Sequence, residues 1–261
     1  ALTTTQVQAL GTTQVQALQN TQLASLTTVQ ITGLNVSGLS TAQAQALTST
    51  QLGQISTSQA ATFNAAALGS LSTVQLAGLT TTQINALTST QANALTDTQV
   101  KAVATAALAG MSTAQVSALT TGQVKAIETA DIAVLSTAQV AALDTTQVGV
   151  LTTSQLGALT TTALGGLTTS AVSNLSSTQV NSLSASSVAA LSTTQVAALS
   201  TTQLNAATSS VLGALTTTQV AALGTSTVAG LSTGVIQTLT STQVGGFTTG
   251  QVAALTTAQV V

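Results

Sequence analysis

Apolar and polar positions along this chain keep an eight-residue count. Leu191-Ser-Thr-Thr-Gln-Val-Ala-Ala-Leu199 displays it. With the leucine as position a, positions a+1 to a+3 are rich in Ser and Thr, a+4 is Gln, a+5 is Val, Leu or Ile, a+6 varies and a+7 is small. Position a falls at residues 2, 10, 18, 26 and 34, then from Leu39 at every eighth residue to Leu255. In the 31 full units a and a+5 are apolar without exception, with Ala207 and Phe247 as the size limits at a, while Gln holds a+4 in 22. Core spacing is therefore kept more strictly than polar identity. The unit from Leu34 to Leu39 is three residues short, contains Asn35 and Gly38, and reads as a local kink or turn. A fixed short period predicts a solenoid, and residues 1–261 read as a single continuous repeat array.

The polar half of the unit predicts what each repeat folds into. Position a+1 is Ser, Thr, Asn or Asp in 26 of the 31 units, the residue types favoured at a helix N-cap. Gln three residues later completes the Ser/Thr-x-x-Gln capping box, and the apolar pair at a and a+5 has the spacing of a hydrophobic staple. The pattern thus predicts an all-α solenoid of very short capped helices, one per octad. The six charges fit that frame. Glu128 and Asp144 fall at N-caps, Asp97 at N1 and Asp131 at N3, near the positive end of the helix dipole, while Lys101 and Lys125 fall at a+6, nearer its negative end.

A β-solenoid is the alternative, because Thr, Val and Ile favour strands. Against it, a, a+5, a+7 and a+8 do not alternate with period two. Against the helical reading, helices joined without a loop commonly end on a left-handed residue, and no regular Gly supplies one. Helices this short also cannot stand alone, so only stacking between coils can hold them.

Composition narrows the function. Charged residues make up 2% of the chain and its net charge is −2, which leaves no electrostatic footprint for nucleic acid. A hydrophobic fraction of 44% argues against disorder. The mean hydropathy of +0.52 suggests a membrane protein, yet Ser, Thr and Gln interrupt every unit and no apolar run nears the ~20 residues of a spanning helix. No basic and apolar leader opens the sequence. It stops inside a unit after Leu255, and we expect the array to belong to a longer chain.

His, Cys, Trp, Tyr and Pro are absent. Triads with His and zinc sets of Cys or His therefore cannot form, and we expect no enzyme, no cofactor, and no catalytic, cofactor-binding or metal-binding residue. Glu128 and Asp131, three residues apart, are the one carboxylate pair that could share a cation or a proton; a cap with an N3 acid is the plainer reading. Gln at a+4 has two structural roles open to it, a bond back to its own N-cap amide or a ladder of stacked amides between coils. The Ser/Thr columns suit a hydrated surface, glycan acceptors or an ice-binding lattice, although Thr and Ser mix freely.

Units such as Leu-Ser-Thr-Thr-Gln-Val-Ala-Ala and Leu-Thr-Thr-Thr-Gln-Val-Ala-Ala resemble octapeptide tracts of very long secreted or surface-anchored bacterial adhesin and fibre proteins. The resemblance implies an extracellular or cell-surface structural role, as a filament, stalk or matrix fibre, and carries over no functional residues. The partners expected are copies of the chain itself, joined head to tail or laterally, with glycans left open. The alternative function is a binding surface for ice or glycans built on the Thr/Ser columns.

Overall fold

The computed structural model describes residues 2–260. Among these it contains 31 α-helices of four to six residues and two 3₁₀ turns, with no strand. Each full octad contributes one helix, and a+1 is its N-cap. The capping box forms as the sequence demands. In the helix Thr193–Ala197 the Ser192 Oγ accepts the Gln195 N–H at 3.2 Å, and Gln195 Oε1 accepts the Ser192 N–H at 2.8 Å. Helix here is dictated locally, by two donors satisfied reciprocally within four residues. That bond pattern rules out the β-solenoid.

The chain falls into two compact units, residues 1–131 and 132–261, and the octad register runs through the division. In the first unit each helix packs on the helix three places along: Ser89–Ala94 on Thr113–Ser117, and Asp97–Lys101 on Thr121–Ala126. The second unit repeats the scheme, with Ala185–Ala190 on Ser209–Ala214 and Thr225–Ala229 on Thr249–Ala254. A coil therefore has three helical sides. Stacking coils supplies the tertiary support that helices of this length require.

The short unit is more than a kink. Val36–Gly38 forms a 3₁₀ turn that packs on Thr12–Gln16 before it and Thr57–Thr62 after it, three places away in both directions. It thus occupies a full side of its coil with fewer residues. Gly38 is required there, because a Cβ would lie 2.9 Å from the Thr12 Cα and O. Leu34, Val36 and Leu39 are all buried, so the core passes through the irregular side without interruption.

The missing left-handed caps have a simple resolution. No described residue has positive φ. Helices that run to a+7 end on the next position a in an extended conformation, as at Leu175 (φ −60, ψ 137) and Leu191 (φ −61, ψ 141), and shorter ones end on a right-handed residue such as Ala198. Any L-residue adopts this geometry, so no Gly is needed. Leu143, Leu151, Leu191 and Leu199 are buried, and Val148 and Val196 are wholly enclosed beside them.

Candidate functional site, the coil-to-coil interface

An extended leucine at each corner turns its carbonyl away from any helical partner. The glutamine column satisfies it from the next coil. Gln203 Oε1 accepts the Ser200 N–H at 2.7 Å, and its Nε2 donates to the Val172 carbonyl at 3.0 Å and the Leu175 carbonyl at 2.7 Å. One side chain thus closes its own N-cap and ties down two carbonyls 31 and 28 residues earlier. Only one orientation of the amide fits, since the oxygen faces a donor and the nitrogen faces two acceptors. Gln91 makes the same three bonds in the first unit, to Thr88, Ala60 and Phe63.

The offsets track the irregular side. Gln51 reaches back 28 and 25 residues, to Leu23 and Leu26, across the short turn, whereas Gln99 reaches back 31 and 28, to Leu68 and Leu71. The difference is the three residues missing between Leu34 and Leu39. Of the two roles open to the column, the bond to the N-cap amide is present. Between coils, as at Gln91, Gln99 and Gln203, the amides bond to backbone carbonyls, so the bolt is amide-to-backbone in place of an amide ladder. Seventeen of these glutamines are buried, a state that a primary amide tolerates only when its donors and acceptor are matched.

A second clasp works in the opposite direction and was not anticipated. In the units of Thr208 and Ser232, a+4 is Val211 and Val235, so no glutamine faces the N-cap amide. Asn181 Oδ1 accepts the Thr208 N–H at 2.9 Å while its Nδ2 donates to the Ala206 carbonyl at 2.8 Å. Asn205 does the same for Ser232 and Gly230, at 2.8 Å and 3.0 Å. The signal in the sequence is an Asn at a+6, 27 residues before an N-cap that lacks its Gln. Asn85 stands in the same position relative to Ser112, but Ser112 N–H is already bonded to Gln115 Oε1, and the Asn85 Oδ1 is buried without a partner.

The charges sit where the helical frame puts them. Asp97 opens the helix Asp97–Lys101 and Lys101 closes it; Lys125 lies in the last turn of Thr121–Ala126; Asp144 Oδ1 accepts the Gln147 N–H at 2.7 Å. Glu128 and Asp131 are drawn to different surroundings. Glu128 Oε1 lies 3.7 Å from Lys101 Nζ at the exposed surface, whereas Asp131 is buried at the glutamine position of its unit.

Coils at the margins show what the interface looks like when open. In the first coil Val7, Val15 and Leu23 are enclosed, while Leu2 is 41% exposed and Leu10, Leu18 and Leu26 are half-buried. Leu2, Val7, Leu10, Leu18 and Leu26 line a cup of about 210 Å³ with Gln22 and Gln30 at its rim. Gln6, Gln14 and Gln22 keep their N-cap bonds at 2.8 Å each, but among the described residues no carbonyl accepts from their Nε2 groups. The clasp begins at Gln30, whose Nε2 donates to the Leu2 carbonyl. In the last coil the exposure is reversed: Val244, Val252 and Val260 at a+5 project at 39, 54 and 65%. Position a therefore faces the preceding coil and a+5 the following one.

Residues 97–126, 124–161 and 228–257 match the ALTTAQ repeat family model. Its letters fall on a+7 to a+4 of the octad, and Ala254-Leu-Thr-Thr-Ala-Gln259 spells them out. The ALTTAQ matches fall in both units, so the clasp built on the final Gln of that string serves each. No curated protein matches the chain significantly. Among the described residues no helix is long and apolar enough to cross a membrane.

Proposed function

We propose that this repeat array is a structural protein of the cell exterior, a filament, stalk or matrix fibre, with no catalytic role. The observation that carries the reading is the use made of the glutamine column. The commonest amide side chain is buried and consumed in joining one coil to the next, as at Gln195, Gln203 and Gln219. Such an array grows by repetition, coil bonded to coil within each unit, which suits a load-bearing spacer. The near absence of charge and of reactive residue types points the same way. Immunogold labelling of intact source cells is the test: label along surface fibres or extracellular matrix is expected, and label confined to the cell interior overturns the proposal.

The ice-binding alternative has weaker support. It needs columns of free hydroxyls, yet those at a+1 are engaged, as acceptors from N3 amides and in pairs such as Thr216 with Thr218 at 3.0 Å and Ser192 with Thr194 at 2.9 Å. Thermal hysteresis in a solution of the purified chain would favour it over a purely structural role.

A further inference from the structure

We infer that Asp131 and the carbonyls of Val100 and Val103 form a site for a hard cation, with calcium the best match, at one joint of the first unit. Gln is missing at a+4 in 9 of the 31 full units, and 8 of those carry Ala, Ser, Thr or Val. Asp131 is the ninth. It is 5% exposed, and among the described residues no hydrogen bond or ion pair reaches its carboxylate. A buried charge without a partner is costly, whereas the uncharged residues used elsewhere avoid that cost. By register a glutamine at 131 would donate to the Val100 and Val103 carbonyls, 31 and 28 residues earlier, as Gln123 does to Ala92 and Leu95. Lys101 Nζ, 3.7 Å from Glu128 Oε1, confirms that register, since the two stand 27 residues apart like Asn181 and Thr208. No described side chain donates to either carbonyl. Asp is one methylene shorter than Gln, about 1.5 Å, and brings oxygen where the amide brings N–H. A carboxylate facing two carbonyl oxygens is an arrangement that a cation relieves. Oxygen-only ligands select a hard cation, and fixed backbone carbonyls suit the irregular shell of Ca²⁺ better than the strict octahedron of Mg²⁺. Glu128 adds no ligand, because its carboxylate lies against Lys101 at the surface. One carboxylate gives modest affinity, with Kd on the order of 10⁻⁴–10⁻³ M. The inference does not depend on where the protein acts.

The test is calorimetric titration of the 261-residue chain with calcium chloride, with the melting temperature followed in parallel from chelator up to about ten times the expected Kd. Binding of a single calcium and a raised melting temperature are expected, with a much smaller effect from magnesium chloride or from sodium chloride at equal ionic strength. Equal effects of all three salts would reduce the response to screening and overturn the site; so would no response to calcium. Asp131→Asn removes the charge at nearly constant size and should abolish the response, whereas Asp97→Asn and Asp144→Asn should keep it. The reverse pattern puts calcium on the other carboxylates and overturns the inference. Asp131→Gln installs the glutamine found at this position in 22 units, so it serves even if the Asn variant does not fold. It should melt above the calcium-free parent and ignore calcium; a calcium response retained in it refutes the site. Carbonyl ¹³C resonances locate the ion. Those of Val100 and Val103 should move on calcium addition in the parent and stay still in Asp131→Gln. Calcium binding that leaves both resonances unmoved in the parent overturns the assignment.

Discussion

Asn181 Oδ1 accepts the backbone N–H of Thr208 at 2.9 Å, across 27 residues, in a unit where Val211 stands in place of the capping glutamine. An N-cap amide deprived of its local partner is thereby satisfied from the preceding coil, while Val211 adds to the core. Removing the asparagine orphans both the Thr208 N–H and the Ala206 carbonyl. Both bonds lie at the exposed surface, where water can take the place of the amide, so Asn181→Ala should cost about 0.5–1.5 kcal/mol, read from the chemical-denaturation midpoint and from faster amide exchange at Thr208. Adding Val211→Gln should recover part of the loss by restoring the local cap. Asn85→Ala should have a smaller effect, because the Asn85 Oδ1 has no partner to lose.

Gln203 offers a sharper contrast. In Gln203→Glu the Ser200 amide keeps an acceptor, but a buried carboxylate then faces the Val172 and Leu175 carbonyls that accepted from Nε2. Like partial charges meet in a site closed to water, so Glu should destabilise more than Ala at this position despite its closer shape. Thermal melts of the two variants at neutral pH decide it; equal melting temperatures would mean that the carbonyls do not depend on the amide donor.

Leu199 tests how far damage spreads. Truncation to Ala should cost about 2–5 kcal/mol if the site does not collapse. In an array held by nearest-neighbour contacts the loss of exchange protection should be confined to adjoining coils. Hydrogen exchange mapped by peptide would show it, and uniform loss through residues 132–260 would contradict local sharing of energy.

Gly38→Ala should destabilise the first unit by about 1–3 kcal/mol, because the added Cβ would press on the Thr12 backbone at 2.9 Å and only backbone movement can relieve it. Gly213→Ala, which meets nothing within 4 Å and lies in a helix, should stabilise slightly. The difference in melting temperature between the two variants is the measurement.

Three sides per coil makes deletions unequal. Removing residues 192–215 takes out a whole coil and brings Asn181 opposite Gly230 and Ser232, the partners that Asn205 held. Removing only residues 192–199 keeps the octad register and its glutamine bolts, yet sets Asn181 opposite Thr216, whose amide Gln219 already holds, and leaves Thr208 without an acceptor. The shorter deletion should therefore be the less stable, by about 0.5–1.5 kcal/mol, since the lost bond lies at the exposed surface. Equal stability of the two would show that the asparagine clasp is dispensable.

The sequence by itself determined whatever is settled within one octad. Ser192 and Gln195 bond to each other across three residues, so helix, cap and start point follow from adjacent chemistry, and the apolar positions a and a+5 name the core without knowledge of what covers it. Tertiary structure decided what depends on the angle turned at each corner. The extended Leu175 and Leu191 set three sides to a coil, and no residue type encodes that angle, since any L-residue can adopt it. The same angle chose the carbonyls that Gln203 reaches, let the five residues from Leu34 to Gly38 serve as a full side, and carried Asn181 to Thr208. Each of these joins groups about one coil apart in sequence, where only the stacking of one coil on the next fixes the distance.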